Sequence, residues 1–158
     1  FFRRMNEPIA RKPGKRRENR VAAVQFLYLL QSHGADSGES VTDLLLSFFE
    51  TADHPREHYQ FAEELIHGYL ANRDEVDGAI RDLVKNWDFN RIARVDLCIL
   101  RAGAYELLHR PDIPPVVTIN EAVDIGKEFS NEDSRRFING VLDRLSSRLD
   151  RDLRKAES

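Results

Sequence analysis

"NEDSRRFINGVLDRL", Asn131 to Leu145, is the stretch whose reading decides the fold. Ile138, Val141, Leu142 and Leu145 recur at helical spacing and form the apolar stripe of an amphipathic helix. Asn131 or Ser130 suits the N-cap, and Glu132 and Asp133 suit the positive end of the helix dipole. Arg135, Arg136 and Phe137 fit that pattern less well, because they put two cations and an aromatic ring into the first turns. Phe137 has two readings. At its spacing from Val141 it is a core residue. Beside two arginines it is a platform for an unpaired base whose phosphate the guanidinium groups hold.

Working outward, every long segment repeats the helical period, and no stretch alternates with the period of a strand. "RENRVAAVQFLYLLQSH", from Arg17, is apolar on nearly all sides, as expected of a helix central to a bundle. Ser40 and Asp43 form a capping signal for a short helix through "VTDLLLSFFE". Asp53 before Pro55 predicts the start of the next helix, which carries Phe61, Ala62, Leu65, Ile66, Tyr69 and Leu70. "DEVDGAIRDLVKNW" and "DFNRIARVDLCILRAGAYELLH" continue the series, and Pro111, Pro114 and Pro115 end the latter. Thr118 and Glu121 stand at capping-box spacing in "VVTINEAVDIGKEF", although that helix has room to begin a turn earlier. Seven helices with short loops predict an all-α bundle. The expected organisation is a flexible basic arm over 1–15, one helical domain over 16–150, and a charged tail over 151–158 that frays.

The chain has 158 residues, enough for one domain with a substantial core. Hydrophobic residues at 41% and charged residues at 32% exclude a disordered composition. Cys98 is the single cysteine, which excludes an internal disulfide and suits a reducing cytoplasm. No apolar run is long enough to span a membrane, and no signal segment is expected. Met5 is the expected natural start, with Phe1 to Arg4 outside the native sequence. The net charge of −3 conceals an asymmetry. Phe1 to Arg20 holds eight basic residues against Glu7 and Glu18, or +6, while the remainder carries 16 basic and 25 acidic residues, or −9. A basic arm on an acidic body points to a polyanion partner, or else to a solvated tail.

Catalytic chemistry finds little support. His54 and His58 stand at i, i+4, a spacing open to two metal ligands, but Pro55 intervenes and the sequence offers no evident third ligand. A solvated pair is therefore expected, with no metal and no cofactor. Glu121, Asp124 and Glu128 share a helical face without the Glu-x-x-His partner of di-iron bundles, and read as a solvated acidic face. Cys98 reads as a buried, inert thiol. There is neither a phosphate-binding glycine loop nor a nucleophile elbow. The sequence reads as a non-enzyme.

The first helix is more informative. Arg16, Arg17 and Arg20 lie at its N-terminal end, where the dipole disfavours cations by roughly 0.3–1 kcal/mol each. A bound phosphate backbone would reverse that sign, so this breach of a local rule is read as a site for nucleic acid.

"RENRVAAVQFLYLLQ", "ILRAGAYELL", "IPPVVTINEAVDIGKEF" and "NEDSRRFINGVLDRL" together resemble, in order, the motifs of the NusB family of bacterial transcription antitermination factors. The resemblance runs from about Arg16 to Leu149, leaving Gly34 to Tyr59 undiagnostic. It implies a seven-helix fold of two three-helix sub-bundles and a cytoplasmic, non-enzymatic role. With ribosomal protein S10, such a protein binds the boxA element of nascent ribosomal RNA and helps RNA polymerase read through terminators. Carried over by motif, the resemblance implies RNA contacts by Arg16, Arg17, Arg20, Arg101, Phe129, Asp133, Arg136 and Phe137. It implies S10 contacts by Tyr28 and Asp96, with Tyr28 also open to a core role. A homodimer that hides the RNA surface is a further possibility that the resemblance brings. Glu18 and Asn90 depart from the family pattern, Glu18 by interrupting the basic run. Two other readings stay open: an RNA-binding appendage of a ribosomal RNA cytosine methyltransferase, and a helical protein-interaction module without RNA.

Overall fold

A computed structural model describes residues 15–33, 40–85 and 88–157 of the chain. The basic arm up to residue 14, the loop over 34–39 and the expected helical extension through Asn86 and Trp87 lie outside the described residues. Seven α-helices follow one another among the described residues: α1 Lys15–His33, α2 Val41–Glu50, α3 Gln60–Ala71, α4 Arg73–Leu83, α5 Arg94–His109, α6 Pro115–Phe129 and α7 Glu132–Ser147. Two short 3₁₀ turns, Arg56–Tyr59 and Phe89–Arg91, precede α3 and α5. The all-α, seven-helix expectation is met.

The apolar circumference of α1 has a direct structural cause. Ala22, Ala23 and Phe26 pack into a smaller core with Leu44, Leu45 and Phe49 of α2, Tyr59, and Ala62, Leu65 and Ile66 of α3. Val21, Val24 and Leu27 face the other way, into a larger core built by α4 to α7. That core gathers Val76 and Ile80, Ile99 and Leu100, Ile119 and Ile125, and Ile138 and Leu142. A helix covered on two sides loses its polar face, as its sequence shows.

Two glycines set close helix approaches. A Cβ on Gly68 would come within 2.0 Å of the Tyr105 ring, so α3 lies directly on α5. A Cβ on Gly126 would come within 2.6 Å of Ile138 Cδ1, which brings α6 onto α7.

The structure departs from the sequence reading, or settles what it left open, at four places. Pro55 is extended, with ψ of 154°, and leads into the 3₁₀ turn, so α3 begins only at Gln60. Ala93, extended with ψ of 134°, separates the Phe89–Arg91 turn from α5 and breaks the single helix expected there. Pro115 opens α6 a turn before Thr118, in the first position where its missing N–H costs nothing. The C-terminal tail does not fray: Val116 N–H donates to Leu153 O at 2.8 Å, and Arg151 Nη2 donates to Pro111 O at 2.9 Å. Arg151 explains the order, because its guanidinium caps carbonyls of the α5–α6 connection.

Candidate nucleic-acid interface

The three arginines of α1 have different fates. Arg16 is exposed, with its guanidinium 4.5 Å from the centre of the Phe61 ring. Arg17 is half-buried and reaches across to α6, where Nε meets Glu121 Oε2 and Nη2 meets Asp124 Oδ2, each at 2.7 Å. Hydrogen bonding to Glu121 raises the Arg17 pKa and keeps the group charged. Arg20 is only 4% exposed. Its Nε and Nη2 donate to the two oxygens of Glu106 at 2.9 and 2.8 Å, and Thr118 Oγ1 donates to Glu106 Oε1 at 3.0 Å.

These contacts bear on four readings. The cations at the N-terminal end of α1 are not left uncompensated for RNA to neutralise, since Glu106, Glu121 and Asp124 offset two of them. Arg20, expected as an RNA contact, is buried and paired with Glu106. The acidic face of α6 is likewise not merely solvated, because Glu121 and Asp124 hold α1. Thr118 is a buried donor to Glu106 rather than a helix cap.

At the start of α7, Asn131 caps the helix by accepting from Ser134 N–H at 2.8 Å. Asp133 and Arg136 are exposed, and Phe137 is half-buried with part of its ring against the larger core. Phe129, by contrast, is 3% exposed and belongs to that core. Phe129, expected as an RNA contact, is thus packed inward as the last residue of the amphipathic α6.

Asp96, expected as an S10 contact, is also turned inward. It is 6% exposed and accepts from Ser134 Oγ at 2.8 Å, with Ser130 Oγ 2.7 Å from Ser134 Oγ. Its other oxygen, Oδ1, is buried without a hydrogen-bond partner. Burial pushes the Asp96 carboxyl up, against the opposing hydrogen bonds from Ser134 and Ser130. Asp96 thus ties the start of α7 to the first turn of α5. Tyr28 is half-buried, packs against the larger core, and lies under the Arg94 guanidinium at 5.5 Å.

Arg101 is held rather than free. Nε and Nη2 donate to Asp77 Oδ1 and Oδ2 at 3.0 and 3.1 Å, and Tyr69 Oη donates to the same carboxylate at 3.0 Å. Burial pushes the Tyr69 phenol up to about 12. Cys98 is fully buried, and desolvation raises its thiol to about 12, in keeping with the inert reading.

Sequence reasoning missed Phe61, the ring that Arg16, Arg20 and Arg110 surround at 4.5, 5.2 and 5.3 Å. It read Phe61 as one more apolar position of a helix stripe. The only sequence signal was its position at the start of that stripe.

The described residues thus form a two-core helical bundle with exposed cations, Arg16 and Arg136, at the starts of α1 and α7. The chain belongs to the NusB family, whose model matches residues 17–147. It is 46% identical over 136 residues to the transcription antitermination protein NusB of Geobacter sulfurreducens, covering 86% of this chain and 96% of that protein. It is 41% identical over 138 residues to that of Myxococcus xanthus, covering 87% and 99%. Among solved structures, NusB of T. maritima superposes with a TM-score of 0.71 at 33% identity, over 87% of this chain and 93% of that one. A complex of antitermination factors NusB and NusE with dsRNA shares the fold, with a TM-score of 0.73 at 23% identity over 85% of this chain and 98% of that one.

Proposed function

We propose that this protein is a cytoplasmic, non-enzymatic transcription antitermination factor. In this reading it binds the boxA element of nascent ribosomal RNA together with ribosomal protein S10 and promotes read-through by RNA polymerase. The observation that carries the reading is the family membership over residues 17–147, which takes in all of α7 and α1 from Arg17 onward. Exposed Arg16, Asp133 and Arg136 and half-buried Phe137 are the direct RNA contacts in this proposal. Arg17 and Arg101 line the edge and adjust to RNA by exchanging a carboxylate for a phosphate. Arg20 and Phe129 support the surface from beneath. Tyr28 meets S10, and Asp96 acts by fixing the α5–α7 junction.

Titration of boxA-like RNA and of a scrambled RNA of equal length, each with and without S10, tests the proposal. Tighter binding of boxA, strengthened by S10, is expected. Equal affinity for both RNAs regardless of S10 would refute it.

A further inference from the structure

The structure supplies the third ligand that the spacing of His54 and His58 lacks. Glu18, in the first turn of α1, faces both imidazoles: Oε2 is 2.5 Å from His58 Nε2 and 3.9 Å from His54 Nε2. One ligand atom from each of the three residues lies within 4.8 Å of the others. The two rings are stacked, with centres 4.1 Å apart and planes 25° apart, so their Nε2 atoms converge on one carboxylate oxygen.

We propose that Glu18, His54 and His58 form a binding site for one divalent transition-metal ion of the zinc class, joining the first turn of α1 to the segment between α2 and α3. Two imidazole nitrogens and one carboxylate oxygen are a borderline donor set that suits zinc, cobalt or nickel and is poor for the oxygen-seeking magnesium and calcium. Ligands about 2.1 Å from a tetrahedral ion stand about 3.4 Å apart. His58 therefore moves away from Glu18 by somewhat under an ångström, and His54 moves in by about half an ångström. The side chains have room for this: His54 is 48% exposed, His58 23% and Glu18 29%. A fourth position is left to solvent.

The backbone is already in place. Asn19, 1% exposed, donates from Nδ2 to His58 O at 3.0 Å and accepts from Ala62 N–H at 2.8 Å. These bonds fix the 3₁₀ turn that carries His58 against the turn of α1 that carries Glu18. Glu18 also interrupts the basic run of α1. A carboxylate there acquires a purpose as the third ligand.

The test uses the full chain, freed of metal by chelation and titrated calorimetrically with Zn²⁺, with Mg²⁺ as the control. One Zn²⁺ per chain is expected, with a rise in melting temperature of about 5 °C or more at a hundredfold excess over Kd. Co²⁺ should develop the visible absorption of a four-coordinate ion. Glu18→Gln, His54→Gln and His58→Gln should each weaken binding at least about tenfold, given the loss of one of three ligands. His109→Gln, which alters a separate pair with Glu75, should leave it unchanged. Circular dichroism confirms folding of each variant. His54, being the most exposed ligand, keeps the test valid if His58→Gln disturbs the fold. Absence of saturable 1:1 binding, or Zn²⁺ affinity unaltered by His54→Gln and Glu18→Gln, would overturn the proposal.

Discussion

Replacing Arg20 by alanine should damage the fold far more than it alters the surface. Arg20 and Glu106 are 4% and 2% exposed and share two hydrogen bonds at 2.9 and 2.8 Å. In Arg20→Ala the Glu106 carboxylate keeps only the Thr118 hydroxyl, at 3.0 Å. An uncompensated charge buried in this way costs about 3–5 kcal/mol. The relief of a cation from the N-terminal end of α1 returns at most about 1 kcal/mol, so the loss wins. For a domain of this size the melting temperature should fall by about 6–15 °C. Urea denaturation of Arg20→Ala, Glu106→Leu and the Arg20→Met/Glu106→Leu double variant provides the assay. Each single variant should lose several kcal/mol, and the double variant should recover most of it, because an apolar pair of similar volume leaves no orphaned charge. A loss below about 1 kcal/mol in Arg20→Ala would refute the reasoning, since the buried pair would then carry no structural weight.

Three further outcomes follow from the same structure. Phe129→Ala should cost about 3–5 kcal/mol of stability, whereas Phe137→Ala should cost less stability and about 1–3 kcal/mol of RNA affinity, measured on the same samples. Burial raises the Asp96 carboxyl, so the neutral form favours folding. That contribution is complete below the unfolded value of about 3.9 and is lost as pH rises through the raised folded value. Asp96→Asn should therefore gain stability relative to the parent as pH climbs above about 4, and a difference that is flat with pH would contradict the assignment. Tyr28→Asp should weaken S10 binding while melting stays cooperative; if it unfolds the domain instead, Tyr28 is a core residue and not a partner contact.

The helices were legible because their signals are local. The stripe Ile138, Val141, Leu142 and Leu145 and the Ser40 cap state their own positions, and all of these were found where expected. The all-round apolarity of α1 foretold a helix central to the bundle, and the structure adds that it is shared between two cores. The site was less legible because its decisive contacts are remote. Arg17 meets Glu121 from 104 positions away, and Arg20 meets Glu106 from 86. A helix-dipole argument sees only the first turn, so it registered three misplaced cations and missed the acids that α5 and α6 bring to them. Glu18 illustrates the same blindness for the two histidines, which lie 36 and 40 positions further along the chain. Phe129 and Phe137 are both apolar residues near helix ends, and only the packing of α6 on α7 distinguishes the buried ring from the half-buried one.

The central claim is that the exposed cations at the starts of α1 and α7 hold RNA phosphates. It is tested most directly by the salt dependence of boxA RNA binding to the parent protein and to an Arg16→Ala/Arg136→Ala variant. Both side chains are exposed, so folding should be preserved. Each phosphate contact on a single strand contributes about 0.7 to the slope of log affinity against log salt concentration, so the double variant should be shallower by about 1.4. An identical slope in the two proteins would place the RNA elsewhere on the surface and contradict the account.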